Sequence, residues 1–144
     1  MKKTPCFYGV VKSMIALTEY KKRFRSSVVI DAKLKQGLEY ILTHKLFKRL
    51  STNEPIENSI VKNFYPYSYK SNLIEILSLL KANDLYNHPN CKEAIELLIQ
   101  KRHSDGFWRA EASQMKSVWI DFDAINKPGA WISYIISDLL GLKE

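Results

Sequence analysis

The chain has 144 residues, 46% hydrophobic and 26% charged, with five Gly, five Pro and two Cys. That is the length of a single domain spanning residues 1–144, one that buries roughly 70% of its unfolded surface, and the composition excludes a disordered chain and a disulfide framework. The formal charge of +7 is uneven: residues 1–70 hold 14 Lys/Arg against 5 Asp/Glu, a net +9, and residues 71–144 hold 8 against 10, a net −2.

The opening Met1-Lys2-Lys3-Thr4-Pro5-Cys6 leads into an apolar run that Lys12 interrupts. No small-residue cleavage site follows, so the sequence predicts a cytoplasmic protein with reduced thiols. The segment from Val10 to Leu17 is apolar around most of its circumference and predicts a helix buried on several sides. Cations follow at Lys21-Lys22-Arg23-Phe24-Arg25 and again from Lys45 to Arg49. Two readings stand for them: solvated helix ends that suit the helix dipole, or a face for anionic lipid or nucleic acid.

Leu34, Leu38, Ile41 and Leu42 form one apolar stripe, with Lys33, Lys35, Glu39 and Lys45 elsewhere. From Leu50 to Lys70 the pattern is irregular. Asn58 to Asn63 predicts a short helix, and Pro66 prevents its continuation through Tyr65. Leu73 to Leu80 is apolar around most of its circumference. Asn87-His88-Pro89 is a start signal, and Ala94, Ile95, Leu97 and Leu98 form the stripe of the next helix. That helix stops at Asp105-Gly106, where glycine supplies a positive φ and Phe107 and Trp108 are expected to pin the turn. Lys127-Pro128-Gly129 breaks the chain before an apolar helix from Trp131 to Leu140, which Gly141 ends. With Ser133, Ser137 and Asp138 inside it, this stretch is too short and too polar to span a membrane.

Helices apolar around most of their circumference thus alternate with one-sided helices: inner, outer, inner, outer, inner. The inner ones begin near residues 10, 71 and 130, and local matches recur at offsets of 57 and 59. Small residues at Ala16, Ser78 and Ser137 are expected to permit close helix approach. The fold class expected is all-α, built of helical hairpins.

Several polar groups are candidates for chemistry. Asp121 and Asp123 could share a divalent ion in an extended segment, but two carboxylates without further ligands are a weak site. His103-Ser104-Asp105 holds the residue types of a hydrolase triad, yet consecutive residues do not line up nucleophile, base and orienter. His44 and His88 read as structural or exposed, and no zinc-ligand spacing exists. Cys6 precedes a helix, where a thiol pKa falls. It reads first as a small buried residue, as does Cys91. No metal, cofactor or catalytic residue is assigned.

Four motifs carry a resemblance to a known family: Cys6-Phe7-Tyr8-Gly9 opening an inner helix; Phe64-Tyr65-Pro66 and Tyr69 before another; Gln100-Lys101-Arg102 through Asp105-Gly106-Phe107-Trp108; and Lys127-Pro128-Gly129-Ala130-Trp131-Ile132-Ser133. In this order they resemble the bacterial and archaeal relatives of the squalene-cyclase and protein-prenyltransferase superfamily. The resemblance implies an α/α toroid, of which this chain has about half the helices. It also implies a second copy or a missing half to complete the ring, and an isoprenoid or other lipid as ligand. The family's chemistry does not transfer: Asp121-Phe122-Asp123-Ala124 lacks the final acid of the cyclase motif, and Thr4 stands where the prenyltransferase zinc site wants an acid.

Aromatics gather at two helix entries, with Tyr65, Tyr67 and Tyr69 at one and Trp119 and Trp131 at the other. A ligand site is expected where they meet, formed by Tyr65, Tyr69, Asn72, Trp119 and Trp131, with the Asn72 amide orienting a polar head. The alternative reading is a structural or interaction module with no small ligand. Nucleic-acid binding through the basic first half is a more distant one.

Overall fold

The computed structural model describes residues 5–114 and 122–142. Among them the chain is all-α: α1 spans Phe7–Arg23, α2 Val28–Thr43, α3 Leu73–Lys81, α4 Lys92–Gln100 and α5 Ala130–Leu140. Short 3₁₀ turns occupy Asn58–Val61 and Pro89–Cys91. Isolated bridges such as Arg109 to Pro128 and Ala110 to Ile125 are the only β pairings among the described residues. No helix among them is long and apolar enough to cross a membrane.

α3 lies at the centre because only a narrow polar side, Glu75, Ser78 and Lys81, interrupts its apolar surface. Leu73, Ile74, Ile76, Leu77, Leu79 and Leu80 are all buried. It packs against α1 and α5 to form one row, with α4 against α3 and α2 against α1 on the outside. α3 thus touches three other helices, whereas α2 packs chiefly on α1. Each fully buried aliphatic side chain in this row contributes roughly 1.5–3 kcal/mol of transfer free energy.

Helix ends follow local chemistry. Ser27 Oγ accepts from Ile30 N at 3.3 Å to start α2. His88 Nδ1 accepts from Asn90 N at 3.1 Å, and Pro89 opens the turn that leads into α4. His44 ends α2, and its ring packs edge-on against Phe7. Gly141, at φ 68°, closes α5 in the left-handed conformation. Lys81 Nζ reaches across from α3 to donate to the terminal carbonyls of Asp138 and Leu139 at 2.8 and 3.2 Å.

Two packing expectations are corrected. Ala16 and Ser78 are exposed rather than wedged between helices. The close approach is made instead by Gly37, where a Cβ would lie 2.1 Å from Met14 Sδ across the α1–α2 contact. α1 is also not buried on several sides: its buried residues, Phe7, Tyr8, Val11, Met14 and Thr18, follow one stripe. Charges at Glu19, Lys21 and Lys22 hold its outer end toward water, while Lys12 pairs with Glu75 of α3 at 2.7 Å.

Candidate functional site

The Asp-Gly turn folds as its sequence demands and sets up the region around it. Asp105 Oδ1 accepts from Phe107 N at 3.0 Å, and Gly106 takes φ 84°. Trp108 is buried. Its Nε1 donates to Leu98 O at 2.7 Å, and its backbone N–H donates to Ser133 Oγ at 2.9 Å. This one residue therefore ties the end of α4 to α5. Phe107 is exposed and is not the second anchor expected.

The segment 122–129 then delivers α5. Asp123 accepts from the backbone N–H groups of Trp131 and Ile132 at 3.1 and 2.7 Å, one carboxylate oxygen to each. A carboxylate on the first turn also meets the positive end of the helix dipole. Gly129 makes the close fit workable, since a Cβ there would lie 3.1 Å from the Asp123 carboxyl and 3.2 Å from Trp108 O. Asp123 thus serves as a helix cap. Asp121 lies outside the described residues, and among those described no group of three or more His, Cys, Asp or Glu could hold a metal ion.

Capping by Asp123 places its neighbour Phe122 over Trp131, with ring centroids 5.6 Å apart. Tyr65 completes the triangle, 4.9 Å from Phe122 and 5.6 Å from Trp131. Tyr67 joins on one side, 5.2 Å from Tyr65, and Tyr134 on the other, 5.9 Å from Trp131. Five rings from three parts of the chain form a continuous aromatic shelf. Its outer members stay in solvent: Phe122 is 46% exposed, Trp131 37% and Tyr134 67%. Burial, with Glu75 nearby, raises the Tyr67 hydroxyl pKa well above that of a free tyrosine.

The expected site residues are only partly brought together. Tyr65 and Trp131 meet in the shelf. Trp119 lies outside the described residues. Asn72 is fully buried with its amide engaged at both ends, as Oδ1 accepts from Glu75 N at 3.2 Å and Nδ2 donates to Phe64 O at 3.0 Å. It starts α3 and fastens the preceding loop. Tyr69 turns elsewhere, with its ring edge on Tyr8 and its hydroxyl 2.9 Å from Cys6 Sγ. Phe122 and Tyr134 were not among the expected residues. Tyr134 carried a signal, because it lies one helical turn after Trp131. Phe122 carried none beyond sitting between two acids.

Cys6 corrects a second expectation. It is exposed, not a buried hydrophobe. The Tyr69 hydroxyl, then the backbone N–H groups of Gly9 and Tyr8, hold its thiol pKa below the ordinary value. Beside it runs a mainly apolar groove of about 510 Å³ between α1 and α2, bordered by Val10, Met14, Gly37 and Tyr40. Cys91 behaves as expected: it is buried, and desolvation pushes its pKa up to about 11.

A second concavity, of about 320 Å³, lies at the end of α4 and is lined by Lys101, Arg102, His103, Arg109, Glu111 and Asn126. Its cations are largely engaged already. Lys101 pairs with Glu111 at 2.6 Å, and Arg109 with Asp105 at 2.6 Å. The Arg102 guanidinium lies 5.3 Å from the Trp108 ring centroid. The His103-Ser104-Asp105 run is a turn in which Asp105 serves Arg109 and Phe107. No protein family, curated protein or solved structure matches the chain.

Proposed function

We propose that this protein binds an isoprenoid or comparable lipid chain on the aromatic shelf formed by Tyr65, Tyr67, Phe122, Trp131 and Tyr134. The observation that carries the reading is the continuity of these rings together with the exposure of the outer three. Aromatic faces offer a flat apolar contact surface and attract electron-poor carbon through their quadrupole. Exposed apolar patches of this kind mark binding surfaces more often than accidents. The row of α1, α3 and α5 with α2 and α4 outside supports a place for the shelf at the inner-helix entries of a partial α/α toroid. The role is binding, because the cyclase and zinc motifs are absent and Asp123 is committed to α5.

The openness of the shelf favours a second reading, in which another copy of the chain or a missing toroid half covers it and no small ligand is needed. Titration of the protein with farnesyl diphosphate and with farnesol, followed by calorimetry, separates the two. Saturable binding weakened about tenfold or more by the pair Tyr65→Ala and Trp131→Ala, at unchanged helicity, supports the ligand reading. Absence of binding, together with self-association that the same pair abolishes, replaces it with the interaction reading.

A further inference from the structure

The tip of the α1–α2 hairpin combines features that the shelf does not explain. Every residue from Glu19 to Val29 is exposed. Four of them are large and apolar: Tyr20 at 44%, Phe24 at 60%, Val28 at 86% and Val29 at 69%. Tyr20 and Phe24 are one helical turn apart, and their rings lie 4.9 Å from each other in a tilted stack. The polar residues around them are overwhelmingly cationic. From Glu19 to Lys35 six Lys/Arg face two acids, a net +4. Both acids are engaged locally, Glu19 by Lys22 at 2.8 Å and Asp31 by Lys21 at 2.7 Å. Arg23, Arg25, Lys33 and Lys35 have no ion pair among the described residues.

We propose that this tip docks the protein on an anionic lipid bilayer. Phe24, Val28 and Val29 enter the headgroup and upper acyl region, Tyr20 sits at the interface with its hydroxyl in water, and the arginines and lysines lie over the anionic headgroups. Neither half suffices alone. A few apolar side chains give weak partition, and a few cations give contact that salt removes. Together they make a reversible peripheral anchor. A nucleic acid would use the cations but leave Val28 and Val29 without a partner. A second copy docked through the same tip would bring like charges together across a two-fold interface.

The inference stands apart from the shelf reading, and its test uses the whole chain. Flotation with phosphatidylcholine vesicles, with and without phosphatidylglycerol, should show binding that requires the anionic lipid and weakens with added salt. Arg23→Glu with Arg25→Glu should lower binding about tenfold or more, as should Phe24→Ser with Val28→Ser and Val29→Ser. Both sets should keep wild-type helicity, because all five positions are exposed. Ile99→Ser, an exposed apolar position on α4 outside the tip, should float as wild type does. Three results would overturn the proposal: equal binding to neutral vesicles; binding that survives both tip variants; and retention on duplex DNA that needs the arginines but ignores Phe24, Val28 and Val29.

Discussion

α3 and the hairpin tip are both rich in apolar residues, and the fold treats them in opposite ways. α3 buries Leu73, Ile74, Ile76, Leu77, Leu79 and Leu80 among α1, α4 and α5. The tip leaves Tyr20, Phe24, Val28 and Val29 in water. Intrinsic hydrophobicity does not make the difference. In α3 the apolar run is interrupted only at Glu75, Ser78 and Lys81, so neighbours can close over it. At the tip the run Lys21-Lys22-Arg23-Phe24-Arg25 sets Phe24 among charges that resist desolvation, and Val28 and Val29 follow it after two serines. An apolar side chain fixed among cations cannot join the core. What it contributes must come from a surface that accepts both.

The sharpest way to break this contrast is to cut into α3. Ile76 is fully buried. Ile76→Ala should cost about 2–5 kcal/mol, the removed methyl and methylene groups plus the cavity they leave. In thermal unfolding that is a fall on the order of 10 °C for a domain of this size. A change of only a degree or two would mean that the α3 surroundings collapse freely and that the helix is less central than its contacts imply.

Asn72 tests the border between the two regimes, since it is polar and yet fully buried. Asn72→Ala removes the α3 cap and leaves Phe64 O without its amide donor. The cap is worth about 1 kcal/mol and the orphaned carbonyl about 1–3 kcal/mol, giving a combined loss of roughly 2–4 kcal/mol. Chemical denaturation should record it as a lower midpoint with an unchanged slope. Weaker lipid binding at undiminished stability would instead make Asn72 a ligand group.

Much of the fold was legible because helix periodicity and punctuation are local. The stripes of α2 and α4, the Asp-Gly turn, the break at Pro128-Gly129 and the stop at Gly141 each rest on residues close in sequence. The site was legible only in part, because ring positions depend on contacts across the chain. Tyr65 and Trp131 were found from their place at helix entries. Phe122 was not, because what lifts it onto the shelf is Asp123 capping α5 eight and nine residues away. Tyr65 and Tyr69 were expected in one site because both precede the same helix, but the bond to Cys6 carries Tyr69 to a different surface. Burial of Cys6 was inferred from residue type, and the hairpin geometry exposes it instead.

The mildest expectation concerns stability at the tip. Val28 and Val29 begin α2 just after the Ser27 cap, and both are mostly exposed. Val28→Ser with Val29→Ser exchanges β-branched residues for ones of similar helix propensity and leaves the Ser27 to Ile30 bond intact. Stability should stay within about 0.5 kcal/mol of wild type, as for other exposed substitutions free of caps and cores. Equilibrium denaturation would register that as an unmoved midpoint. Loss of several kcal/mol would show that these valines are packed in solution, against another segment or another copy, and the contrast with α3 would disappear. An unmoved midpoint combined with lost flotation would sharpen it: the same pair of side chains would be silent in folding and decisive at the bilayer.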